Sequence, residues 1–130
     1  MSINDKANPK NKNFSISQRI KSFGYAFRGI WFAIKTQHNL WIHFLAILAV
    51  VIAGYLFKLT TVEWVMVVFA TGLVLTAELF NTAVESLVDM ISPDNSKKAG
   101  FIKDVAAGAV LIAAIVAAII GCIIFIPKII

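Results

Sequence analysis

Three apolar runs dominate this chain of 130 residues. The first spans Leu40 to Phe57, the second starts near Val62 and continues as a helix to about Ile91, and the third is continuously apolar from Val105 to Ile126. At about 1.5 Å of rise per residue, each can cross a hydrocarbon core of roughly 30 Å, the shortest with modest thinning or help from its flanks. Composition points the same way, with 59% hydrophobic and 15% charged residues against the roughly 45–50% apolar content of a soluble domain. A soluble fold of this length would lack the polar residues to cover its core. The predicted fold is an all-α membrane protein: an N-terminal amphipathic surface helix followed by three transmembrane helices.

The runs divide at recognisable turns. Lys58 to Glu63 reads as a short connection, and Ser92-Pro93-Asp94-Asn95 stops the second helix, after which Asn95 or Ser96 can cap the third. The expected spans are 40–57, 62–91 and 96–126, within a single membrane domain over 15–130. Residues 1–14, rich in Asn and Lys, are expected to form a disordered cytoplasmic tail. Between them, over 15–36, Ile16, Ile20, Phe23, Phe27, Ile30, Trp31 and Ile34 recur at three- and four-residue spacing with Arg19, Lys21 and Arg28 interspersed. That pattern predicts an amphipathic helix lying in the membrane interface, since little soluble protein remains for its stripe to pack on.

The net charge of +5 would suggest nucleic-acid binding on a soluble domain. Here ten of the twelve basic residues lie in the N-terminal segment or in the connection carrying Lys97, Lys98 and Lys103, and only Lys58 and Lys128 lie elsewhere. Cytoplasmic loops collect lysine and arginine, so the N-terminus is expected inside and the C-terminus outside, with no nucleic-acid partner. The single cysteine, Cys122, sits in an apolar run without a partner for a disulfide or a cysteine metal site. No cleavable signal peptide is expected, because a polar, basic stretch precedes the first apolar run. Ala109, Ala113, Ala117 and Gly121 form a small-residue stripe on the third helix that suits close packing within the chain or between subunits.

The residues able to carry chemistry sit on the second span. Glu78, Asn81, Glu85 and Asp89 follow one another at steps of three, four and four. At about 100° per residue, these positions fall within roughly 80° of one another, with Thr82 on the same face. Glu78 lies roughly 16 Å deeper along the axis than Asp89. A solvated helix end accounts for Asp89 well and for Glu85 partly. It accounts poorly for Glu78, which stands among Leu75, Ala77, Leu79 and Phe80, where insertion of an ionisable group costs about 2.5–3.5 kcal/mol or more. Clustered carboxylates offer hard oxygen ligands for Mg²⁺, and one withdrawn from water suits a general base. Lys103 and Asp104 add a cation and a further carboxylate on the same side, although Lys103 taken alone reads sooner as an ordinary interface anchor.

The chain has no GxxxxGK[ST] loop and no Gly-rich kinase loop with its catalytic segment, so residue chemistry stops at an acidic, metal-binding type of site. A proton-coupled transporter also places carboxylates in the membrane, but one isolated near the midplane rather than a row ending at one side.

The stretch Ala77-Glu78-Leu79-Phe80-Asn81-Thr82-Ala83-Val84-Glu85-Ser86-Leu87-Val88-Asp89 resembles the motif of the bacterial integral membrane diacylglycerol kinase and undecaprenol kinase family. Lys103-Asp104-Val105-Ala106-Ala107-Gly108-Ala109-Val110 resembles its second motif, and with Gly24-Tyr25 and Arg28-Gly29 the likeness runs from about Ser17 to Ile126.

The resemblance implies a lipid kinase of the bacterial cytoplasmic membrane that transfers the γ-phosphate of ATP, with Mg²⁺, to the hydroxyl of diacylglycerol or undecaprenol. It implies Glu78 as the general base and Glu85 as a metal ligand. Asn81, Asp89, Lys103, Asp104, Tyr25 and Arg19 fall to nucleotide and phosphate binding, and the family's assembly is a homotrimer with sites shared between subunits. The family also supplies a glutamate just before the first span, and the matching position here is Gln37, whose amide carbonyl can ligate a metal but carries no charge. That departure makes a catalytically lapsed member, serving as a structural subunit, the second alternative. Asn39 to His43 is similar to a segment common in undecaprenol kinases. His38 and His43 themselves read as interfacial side chains ahead of a catalytic role.

Overall fold

The computed structural model describes residues 14–130; the expected tail over 1–14 therefore lies, apart from Phe14, outside the described residues. Four helices follow in order: α1 (Ile16–Thr36), α2 (His38–Leu56), α3 (Thr61–Ile91) and α4 (Lys97–Ile129). Among the described residues there is no strand, and α2, α3 and α4 are each long and apolar enough to cross a membrane. The all-α architecture with three long apolar helices is thus the one expected from the sequence.

Three of the four helices, α1, α3 and α4, start where a side chain satisfies a free backbone donor of the first turn. Ser15 accepts from the Gln18 N–H, and Ser96 accepts from the Ala99 N–H at 3.2 Å. At α3 the cap is reciprocal: the Thr60 hydroxyl accepts from the Glu63 N–H at 3.2 Å, and the Glu63 carboxylate accepts from the Thr60 N–H at 2.9 Å. A single extended residue, Gln37, separates α1 from α2. The end of α2 closes with Lys58 in the left-handed region (φ 54°), while Leu59 N–H bonds back to Gly54 carbonyl at 3.1 Å and Lys58 N–H to Tyr55 carbonyl at 3.4 Å. This paired 6→1 and 5→2 closure reverses the chain within a few residues.

The short turns fold α2, α3 and α4 into an up-down-up bundle in which α3 and α4 share the main interface, and α1 reaches both α2 and α3. At the end near the α2–α3 turn, Leu59, Val67 and Ile124 form a buried apolar cluster with Trp64, Ile120 and Phe125 packed against it. Gly54 is required there, since a Cβ on it would fall 2.5 Å from Trp64 Cη2. Towards the opposite end the same inward face of α3 changes character. Its buried positions run Val67, Ala70, Val74, Glu78, Asn81, Val88, so the helix carries apolar packing into one half of the bundle and polar side chains into the other. Large apolar residues such as Leu45, Phe69, Leu111 and Ile119 face outward, as suits a bundle whose solvent is lipid or other copies of itself.

Candidate functional site at the polar end of the bundle

The three- and four-residue steps along α3 put Glu78, Asn81, Glu85 and Asp89 on one face, and their burial falls along it. Glu78 and Asn81 are buried (3% and 8% exposed), Glu85 is half-buried, and Asp89 is exposed. The row runs from an enclosed carboxylate to an open one. Asn81 Nδ2 donates to Glu85 Oε1 at 3.3 Å, whereas Asn81 Oδ1 is buried with no partner. The Thr82 hydroxyl donates to the Glu78 backbone carbonyl at 2.9 Å and leaves the carboxylate free. Lys103, one turn and a half into α4, reaches across to pair with Asp89.

Glu78 meets a partner from α2: His43 Nε2 lies 2.8 Å from Glu78 Oε1. The sequence favours an interfacial placement of His43 over a catalytic role and does not pair it with Glu78. In an antiparallel hairpin that turns tightly at Lys58–Thr60, a residue early in α2 comes level with one deep in α3, and that register is the signal that could have paired them.

Of the other candidates, Gln37 is half-buried at the break between α1 and α2, and Asp104 is exposed on α4. Tyr25 is exposed beneath the Arg28 guanidinium, and Arg19 lies over the Phe14 ring. Among the described residues, none of these four makes a side-chain hydrogen bond to the row on α3, and no three His, Cys, Asp or Glu side chains converge on one point. Within the single chain, therefore, the structure gathers Glu78 with His43, Asn81 with Glu85 and Asp89 with Lys103, and holds Gln37, Asp104, Tyr25 and Arg19 apart.

Two apolar grooves flank the row. One of about 520 Å³ runs between α3 and α4 past Ala77, Asn81, Val84, Phe101, Val105 and Ala109. Another of about 300 Å³ passes His43, Val50, Thr71, Val74, Ala114 and Gly121. Both have largely hydrocarbon walls, interrupted by Asn81 in the first and by His43 and Thr71 in the second.

Three long apolar helices with a partly enclosed polar row at one end of the bundle mark an integral membrane protein. Residues 24–125 match the model of the prokaryotic diacylglycerol kinase family, and the chain belongs to that family. It is 40% identical over 119 residues to the undecaprenol kinase of Bacillus subtilis (strain 168), covering 92% of this chain and 97% of that protein. It is 34% identical over 113 residues to the diacylglycerol kinase of Escherichia coli (strain K12), covering 87% of this chain and 93% of the other. A diacylglycerol kinase of Synechocystis is 40% identical over 107 residues, which cover 82% of this chain but 61% of that longer relative. The resemblance drawn from the two motifs is thereby established.

Proposed function

We propose that this protein is a lipid kinase that moves the γ-phosphate of ATP to the hydroxyl of a membrane alcohol, undecaprenol or diacylglycerol. The observation that carries the reading is the row on α3, which descends from exposed Asp89, paired with Lys103, to enclosed Glu78. A charged phosphate donor needs the open end, and a hydroxyl on a lipid needs the closed one. The two grooves beside the row offer hydrocarbon walls for the lipid tail.

In this reading the end bearing α1 and the α3–α4 turn faces the cytoplasm of a bacterial inner membrane, where ATP is, because it holds most of the lysines and arginines. Glu78 takes the hydroxyl proton. Mg²⁺ fits the donor set next to it: Glu85 supplies a carboxylate, and the buried, unpartnered Asn81 Oδ1 supplies a hard oxygen. Magnesium commonly takes one or two protein carboxylates and completes its shell with phosphate and water, so a preformed cage is not required. Gln37 would add a neutral carbonyl. When bound, the ion would draw charge from the phosphates as the transferred group separates from ADP. Lys103 and Asp89, with Asp104, Tyr25 and Arg19, hold the nucleotide, the last three from positions that a homotrimer sharing sites between subunits brings to the row. The single membrane domain over 15–130 is the repeating unit of that assembly.

Undecaprenol is favoured as the acceptor by the near full-length Bacillus relative and by the Asn39 to His43 segment. Gln37 favours one second reading, a catalytically lapsed subunit. The test is transfer of labelled phosphate from Mg²⁺-ATP to each lipid, side by side in mixed micelles. The proposal expects labelled lipid phosphate from the parent protein and none from Glu78→Gln. A parent protein that labels neither lipid overturns the kinase reading in favour of the lapsed subunit, and a Glu78→Gln protein with the parent's rate removes the assigned base.

A further inference from the structure

His43 stands inside the apolar run of α2, where span formation does not call for an imidazole. Its Nε2 is 2.8 Å from Glu78 Oε1. The Glu78 side chain is 4% exposed and that of His43 21%. Because the Thr82 hydroxyl is committed to the backbone, His43 is the one protein group hydrogen-bonded to the Glu78 carboxylate among the described residues. A buried carboxylate with no partner is costly, and a carboxylate on a flexible side chain does not hold one direction by itself. Several charged groups of the surrounding elements have other partners: Lys103 of α4 pairs with Asp89, Glu85 of α3 accepts from Asn81, and Arg28 and Lys35 of α1 lie over the rings of Tyr25 and Trp31.

We propose that His43 is the positioning residue for Glu78, fixing one carboxylate oxygen so that the other faces the lipid hydroxyl. The inference rests on the reading of Glu78 as the base. Nε2–H donates to Oε1, which leaves Oε2 to accept. In the transfer step the lipid oxygen bonds to the γ-phosphorus, and the bond from that phosphorus to the bridging oxygen breaks. The electron pair of that bond stays on ADP, the hydroxyl proton moves to Glu78 Oε2, and His43 keeps its own proton throughout.

The experiment measures kcat and KM for ATP in mixed micelles, using the lipid that the parent phosphorylates. His43→Leu is expected to lower kcat by about tenfold or more with KM for ATP unchanged, the size of a lost orienting contact in general base catalysis. His43→Gln, whose amide N–H can take the place of Nε2–H, is expected to restore most of that loss. A His43→Leu protein with the parent's kcat overturns the role, as does a His43→Gln protein that is equally impaired. If the leucine variant fails to assemble, His43→Phe, of similar size and without a donor, takes its place. Glu78→Gln at the parent's rate removes instead the reading beneath, so the two failures are distinguishable.

Discussion

Asn81 and Glu85, one turn apart on α3, share a hydrogen bond of 3.3 Å that turns the amide so that its Oδ1 is buried without a partner. Native structures leave few buried acceptors unpaired, and those they leave call for a reason. The bound magnesium inferred for this row supplies one.

Asn81→Ala should therefore weaken the magnesium dependence of transfer more than it weakens the fold. The expected outcome is a rise of about tenfold to a hundredfold in the magnesium concentration needed for half-maximal rate, the usual effect of losing a ligand or its support. Thermal unfolding in micelles should be little changed, since the variant also removes an unsatisfied buried oxygen. Equal magnesium curves for the two proteins would separate Asn81 from the metal.

At the break between α1 and α2, Gln37→Glu should act in the opposite direction. It adds a charge at the position where the family supplies a glutamate, and magnesium affinity rises with the number of charged oxygen ligands. Half-maximal rate is expected at a magnesium concentration at least about threefold lower, read from the same titration. An unchanged curve would mean that this position lies outside the metal's reach in the assembled protein.

Gly54→Ala tests the far end of the bundle. Alanine favours a helix over glycine by about 1 kcal/mol, but its Cβ would lie 2.5 Å and 2.9 Å from Trp64 ring atoms and 3.1 Å from Leu59 Cδ1. Overpacking of that kind costs about 1–3 kcal/mol, so the clash should win. A lower unfolding temperature is expected, restored when Trp64→Leu is added. A stabilised single variant would show that the ring moves aside freely.

The sequence made much of the fold and part of the site legible, and the division follows from which properties are local. Span lengths, the Ser92 to Asn95 stop and the row on α3 depend on one helix at a time, so the period of the helix was enough to read them. The Thr60 and Glu63 cap is equally local, and the Thr-x-x-Glu spacing carries it, but Lys58 to Glu63 reads as one undivided turn by composition alone. His43 was missed for a different reason. Its meaning depends on the register between α2 and α3, which periodicity within either helix does not specify. The positions of Arg19, Tyr25, Gln37 and Asp104 relative to the row depend on how copies of the chain assemble, which lies a level further from the residues.

The apolar cluster of Leu59, Val67 and Ile124 sits at one end of the bundle, and the polar row occupies the other. Yet Ala33, Leu40, Val88 and Ala99 bury a second apolar layer at the polar end. Acidic side chains anchored among close-packed neighbours have little room to swing, so the row is held to one geometry instead of hanging from a loose tip.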